Sequence, residues 1–233
     1  MLDKNDPELM KLDCPNKPQI YDMLFGKAAD RLKYAKSVAL LYLGGPYYPV
    51  RLLEEYNNIK EVNDFTRKDF DFIYEPYENN KQIKIWYVDD VNDTFRNCNM
   101  KFDCIIMNPP YQRNLHLKIL AEAIKHLKDE KSVCVNLSPD NWITNPFKMF
   151  EKEKLKREAP IKIGKYVSSY ESISTEDFNN LFGTSNYFGV GIVTLGTKET
   201  GFDCSTWNST NELLLKILEK TYKMTSLRSR RKE

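Results

Sequence analysis

Apolar positions along this chain follow two rhythms. From Gln19 to Ala35 they recur at Ile20, Met23, Leu24, Ala28, Leu32 and Ala35, the three-to-four spacing of one helical face. Ser37-Val-Ala-Leu-Leu-Tyr-Leu43 is instead a continuous apolar run stopped by Gly44-Gly45-Pro46, short enough for a strand buried on both faces. The alternation continues: Val50 to Tyr56 reads as a helix, and Asp69–Tyr74 and Gln82–Val88 as strands. Phe102–Met107 reads as a strand stopped by Asn108-Pro109-Pro110, Leu117–Lys128 as a helix, and Ser132–Leu137 as a strand stopped by Ser138-Pro139. Phe147–Glu158 is a charged helix, Lys162–Val167 and Tyr187–Leu195 are strands, and Ser209-x-x-Glu212 resembles a capping box before a last helix, Leu213–Met224. Strands alternating with helices predict an α/β domain whose mainly parallel sheet is covered on both faces. In such sheets ligands bind beyond the carboxyl ends of the strands, so the turns after Leu43, Val88 and Met107 are where a site is expected.

Composition narrows the class. The chain has 233 residues, 41% hydrophobic and 29% charged, which is enough for one large domain with a real core and excludes wholesale disorder. No apolar run approaches the ~18 residues of a membrane span, and the polar start Met1-Leu2-Asp3-Lys4 carries no secretory signal, so a cytoplasmic protein is expected. The five cysteines fit neither zinc spacing nor a disulfide ladder, and two histidines exclude a His-rich metal centre. Reduced thiols and no metal are expected. Net charge is only +2, but it is unevenly spread. Glu61–Phe95 holds nine acids against four bases, whereas Lys148–Lys165 holds seven bases against three acids. The tail adds Arg228, Arg230, Arg231 and Lys232, so an acidic middle precedes a basic second half.

The sharpest chemistry is at Phe102-Asp103-Cys-Ile-Ile-Met-Asn108-Pro109-Pro110-Tyr111. Two prolines cannot extend a parallel strand, because neither has a backbone N–H, and they stiffen the turn by fixing φ. An Asn carboxamide, a proline carbonyl and an aromatic ring are thereby held at a strand end. That suits a planar amine, with two acceptors for its two protons and a ring face beneath it.

This segment resembles the fourth motif of the S-adenosylmethionine-dependent amino-methyltransferases, above all the DNA adenine-N6 methyltransferases of restriction–modification systems. The resemblance implies a Rossmann-like methyltransferase fold, with Asn108 and Pro109 as acceptors for the exocyclic amine, Pro110 stiffening the turn and Tyr111 stacking on a flipped base. Asn136-Leu-Ser-Pro139-Asp-Asn-Trp142 resembles a Pro-x-x-Trp segment of the same enzymes. Asn180-Leu-Phe182-Gly resembles their later motif, which makes Phe182 a second stacking ring. Gln82–Asp90 resembles the strand whose final acid approaches an adenine, and Asp89 and Asp90 both qualify. The resemblance implies S-adenosylmethionine as cofactor and DNA, or RNA, as partner.

The first motif departs from the family. Gly44 and Gly45 can supply the close backbone approach that the cofactor needs, but no acid ends the strand before them and Pro46 is unusual. Glu75 is the candidate ribose-binding acid, placed fourteen positions before Asp89. A remodelled, weak cofactor pocket is expected. The expected organisation is an arm and helix over 1–36, a methyltransferase-like catalytic domain over 37–200, and a helix with a basic tail over 201–233. The basic tail would contact phosphates. Only 38 residues follow Leu195, so target recognition would come from internal loops, a specificity subunit or a further domain, or would be very short. The reading is methyl transfer to the exocyclic amine of adenine in DNA. The alternatives are a catalytically inactive methyltransferase-like subunit and a protein-glutamine methyltransferase.

Overall fold

A computed structural model describes residues 16–66, 81–144 and 163–200. Its centre is a seven-stranded sheet: β1 (Ser37–Leu41), β2 (Glu61–Thr66), β3 (Gln82–Tyr87), β4 (Cys104–Met107), β5 (Val133–Pro139), β6 (Val167–Ile173) and β7 (Val190–Leu195). The spatial order is β3-β2-β1-β4-β5-β7-β6. The first five strands run parallel, and β7 then inserts antiparallel between β5 and β6. This is the expected Rossmann-like architecture, and the strand order reverses at β1.

Period-two alternation sorts the strands onto two cores. Val38, Leu40, Cys104, Ile106, Val135 and Leu137 pack on one side with α1 (Lys17–Gly26), α2 (Ala29–Leu32) and α3 (Tyr47–Glu55). Ala39, Leu41, Ile105, Met107 and Cys134 pack on the other with α4 (Leu115–Lys125). Burial on both faces explains why β1 and β4 read as unbroken apolar runs. Cys98, Cys104 and Cys134 are buried free thiols, and burial pushes all three up. No helix among the described residues is long and apolar enough to cross a membrane.

Several elements differ from the periodicity. The first helix is broken after Gly26, where Ala28 N–H turns back to Phe25 O at 3.0 Å. The second strand is Glu61–Thr66, a segment whose pattern predicted nothing. Asn63 and Asp64 are buried there, and Asn63 Oδ1 is satisfied by the Trp86 indole at 2.8 Å. The expected strand at Asp69–Tyr74, with Glu75 after it, lies outside the described residues, as do the helices at Phe147–Glu158 and Leu213–Met224. Strand β5 runs through Pro139 instead of stopping at Leu137. Beyond Asn136 it pairs with β7 alone, so a proline there breaks no bond to β4. The strand expected at Lys162–Val167 is displaced to Val167–Ile173, an edge strand with one polar face. A helix, α6 (Thr175–Phe182), precedes β7, capped by the Ser174 hydroxyl accepting from Asp177 N–H at 3.0 Å. α5 (Asn141–Thr144) is a short turn after β5.

Asp103 fastens the sheet at its amino edge. It accepts from the Lys36 and Ser37 amides at 2.7 and 3.1 Å and from Arg31 at 2.7 Å. Burial works against its charge, yet those amides, Lys128 and Arg31 hold its carboxyl below the usual carboxylate range.

Candidate active site

The reversal of strand order opens a crevice between the carboxyl ends of β1 and β4. Asn108 N–H donates to Leu41 O at 3.0 Å, so the pairing reaches one residue past β4 before the prolines end it. Beyond that edge lies a cavity of about 550 Å³. Asn108, Pro109, Pro110 and Tyr111 form one wall and Leu43 comes from the β1 turn. Phe178 and Phe182 come from α6, and Thr184, Ser185, Asn186 and Phe188 from the loop before β7. The predicted amine acceptors, Tyr111 and Phe182 are thus brought together from segments seventy residues apart.

Tyr111 is the hub. Its hydroxyl donates to Asn108 Oδ1 at 2.7 Å, and burial pushes its phenol above the usual range, so it stays a neutral donor. Phe188 meets its ring edge-on, with centroids 6.1 Å apart and planes at 76°. Phe182 stacks on Phe178 at 4.6 Å. Phe188, which sequence reasoning treated only as part of a strand, therefore stands against Tyr111. Its signal was an aromatic residue directly before Gly189.

His116 was also missed. It is 1% exposed and packs edge-on to Tyr111 at 6.2 Å, and neither ring nitrogen has a hydrogen-bond partner within reach. Burial pulls its imidazole down to about 4, against a weak opposing pull from the Tyr111 carbonyl. Lone His residues carry no sequence signal of this kind.

The β1 turn takes three left-handed residues: Tyr42 at φ 58°, Gly44 at 77° and Gly45 at 75°. Glycine adopts this conformation freely, whereas a tyrosine there is strained. The Tyr42 hydroxyl shares a 2.7 Å hydrogen bond with Thr94 Oγ1, tying the β1 end to the segment after β3. Asp89 and Asp90 are exposed at the carboxyl end of β3 and line a separate cavity of about 130 Å³ with Trp86, Thr94 and Arg96. The Asn92 side chain and amide both donate to Asp90 at 2.9 Å and hold its carboxyl low. The predicted residues therefore fall into two groups. Leu43 borders the first cavity and Tyr42 reaches the wall of the second, so the glycine turn lies between them. A Cβ built on Gly44 would meet nothing within 4 Å, which leaves open space for backbone approach. With two exposed carboxylates on the same sheet edge, these residues fit a nucleoside cofactor. Glu75, Arg228, Arg230, Arg231 and Lys232 lie outside the described residues.

The family model of Eco57I restriction-modification methylases matches residues 40–140, which include the glycine turn, Asp89–Asp90 and Asn108–Tyr111. No curated protein matches the sequence. In fold, the chain is similar to the methyltransferase subunit of a type I restriction-modification system from Streptococcus thermophilus. That likeness has a TM-score of 0.55 at 14% identity, covering 81% of this chain and 45% of that one. TrmN from Thermus thermophilus gives 0.49 at 12% identity, covering 77% and 48%. A rRNA methylase from Streptococcus thermophilus gives 0.43 at 10%, covering 75% and 97%. The chain spans under half the length of the first two. The central segment, residues 40–140, thus resembles the Eco57I restriction-modification methylases, and the fold is Rossmann-like.

Proposed function

We propose that the chain transfers a methyl group from S-adenosylmethionine to the exocyclic N6 amine of adenine in DNA. The observation that carries this reading is the pairing of Asn108 and Pro109, residues that can each offer an acceptor oxygen, in the lining of a cavity that Tyr111, Phe182 and Phe188 also line. A space of about 550 Å³ is ample for a nucleobase. An adenine amine drawn into it presents two protons. One takes the place at Asn108 Oδ1 that the Tyr111 hydroxyl holds, and the other goes to the Pro109 carbonyl. Both acceptors draw the amine out of conjugation with the ring, localise its lone pair and stabilise the positive charge that builds on nitrogen during transfer. Tyr111 and the phenylalanines fix the base plane, which supplies orientation.

S-adenosylmethionine, when bound, supplies the electrophilic methyl group. Gly44, Gly45, Asp89 and Asp90 are the described residues that would hold it, with Glu75 a further candidate. The base must leave its duplex to reach the cavity. In this reading residues 37–200 are the catalytic unit, and 1–36 and 201–233 flank it. Arg228, Arg230, Arg231 and Lys232 contact phosphates. Target recognition comes from a specificity subunit or a further domain, in keeping with a type I subunit of which the chain covers 45%. The site of action is the cytoplasm.

A second reading, a binding subunit without catalysis, is favoured by the strained Tyr42 at the strand end that lacks an acid. Methyl transfer from labelled cofactor to DNA, RNA and a glutamine peptide tests all of these. Label on adenine of DNA, lost by about 100-fold or more in Asn108→Ala, is the expected result. Transfer to peptide alone would make the chain a glutamine methyltransferase. No transfer, with no cofactor binding by calorimetry, would favour the binding subunit.

A further inference from the structure

We propose that Tyr187 is a stacking platform for the nucleotide that flanks the target adenine, an inference that rests on the reading above and extends it beyond the base pocket. Tyr187 is 93% exposed, more than the other exposed large hydrophobic residues described, Tyr34, Tyr87 and Phe188. Its neighbours Asn186 and Phe188 both line the cavity, and Tyr187 between them does not. The ring therefore lies in solvent, outside the cavity's wall and between two residues that form it. Tyr34 and Tyr87 line no part of that cavity.

The backbone under Tyr187 is pinned. Asn179 Nδ2 donates to Asn186 O at 3.0 Å, and Asn179 Oδ1 accepts from Asn186 N–H at 2.6 Å. Asn186 Nδ2 donates to Phe188 O at 3.1 Å, while Phe188 N–H donates back to Asn186 Oδ1 at 3.3 Å. The loop is thus fixed on both sides of an apolar ring that faces water. A ring presented this way can bind with little further ordering of the chain.

The chemistry of the occupant follows from the pocket beside it. Drawing one base out of a strand unstacks its neighbour and leaves a bare π-face next to the entrance. An aromatic side chain covers such a face whichever base it belongs to, because every base has one. Tyr187 therefore adds affinity for a chain of nucleotides over a single nucleotide, without base preference and without a phosphate contact.

The test compares the full chain with Tyr187→Ala and Tyr187→Trp. Binding is measured to single-stranded oligo(dA) by fluorescence anisotropy, and to dAMP by ligand-observed NMR, with Tyr111→Ala as a pocket control. The expected result is a loss of roughly 5- to 150-fold in oligo(dA) affinity for Tyr187→Ala, with Tyr187→Trp holding wild-type affinity or better. The affinity for dAMP and the slope of log affinity against log salt should both stay unchanged. Because Tyr187 is almost wholly exposed, folding is not at stake. If Tyr187→Ala binds oligo(dA) like the wild type while Tyr111→Ala weakens it, Tyr187 is a bystander and the base pocket stands. If Tyr187→Ala weakens dAMP as much as oligo(dA), the ring belongs to the pocket wall and the flanking assignment is wrong. If oligo(dA) does not bind, or binds with no effect of Tyr111→Ala, the nucleic-acid reading itself fails and takes this inference with it.

Discussion

His116 makes a pH-dependent contribution to stability that His116→Leu should remove. The imidazole is 1% exposed, neither nitrogen has a partner, and its pKa falls from the ordinary 6.5 to about 4. In the folded protein it is therefore neutral down to about pH 4, whereas in the unfolded chain it takes a proton near 6.5. Above 6.5 neither state is protonated and the fold keeps its full stability. As pH falls from there, the unfolded state gains a proton that the folded state refuses, and stability declines. The full gap of roughly 2.5 units corresponds to ~3 kcal/mol, of which ~2 kcal/mol is already lost by pH 5.

Urea unfolding of the full chain at pH 7.5, 6.0 and 5.0 reads this directly. Acidic groups also titrate in that range, so the informative quantity is the difference between wild type and His116→Leu, which cancels them. Leucine is apolar and has no orphaned nitrogens to bury, so the variant should match or exceed wild type at pH 7.5. Its advantage should then grow by ~2 kcal/mol at pH 5. Parallel profiles for the two proteins would refute the argument, because they would mean that the imidazole is hydrated or hydrogen-bonded in the folded state.

Tyr111→Phe removes the donor to Asn108 Oδ1 and keeps the ring, so methyl transfer to DNA should stay within about fivefold of wild type, whereas Tyr111→Ala should lose ~1–3 kcal/mol of base binding. A large rate loss in Tyr111→Phe would make the hydroxyl a working group. Asp103→Ala strips partners from Arg31 and from the Lys36 and Ser37 amides, and urea unfolding should show a loss of ~3–5 kcal/mol. Gly191→Ala would place a Cβ 2.6 Å from Tyr170 Cε2 and 3.0 Å from the Glu171 carbonyl, so thermal unfolding should show a cost of ~1–3 kcal/mol. A neutral result there would mean that β6 shifts freely at the sheet edge.

Strands buried on both faces were legible in the sequence, since nothing polar interrupts Val-Ala-Leu-Leu in β1 or Cys-Ile-Ile-Met in β4. β2 was not. Its interior carries Asn63 and Asp64, and Asn63 is paid for by Trp86 from the neighbouring strand, a bond no local pattern announces. Missing β2 is what crowded the cofactor half. With Glu75 taken as the end of the second strand, no helix fitted before Asp89. With β2 ending at Thr66, fifteen residues separate it from β3. The Asn-Pro-Pro-Tyr turn was readable because two prolines impose their geometry locally. His116 and Phe188 were not, because they reach Tyr111 only through the packing of α4 and the β7 approach. Phe-Asp before β4 gains a structural cause: Asp103 ties the amino ends of β1 and β4, and so sets the register that delivers Asn108 to Leu41.

The Asn108–Tyr111 bond also bears on which bases the cavity admits. The Tyr111 hydroxyl occupies Asn108 Oδ1 when no target is present, a part-buried hydrogen bond worth ~0.5–1.5 kcal/mol. An incoming base must replace that donor with one of its own. An exocyclic amine can, and it has a second proton for the Pro109 carbonyl. The keto oxygen of thymine cannot. It would leave two acceptors facing a third and forfeit the Tyr111 bond as well. In the proposed reaction, selection against thymine therefore follows from the acceptor pair alone, before any sequence is read. Selection among adenine, cytosine and guanine does not, because all three carry an exocyclic amine. That choice falls to the ring walls, where Tyr111, Phe182 and Phe188 can cover a purine more fully than a pyrimidine.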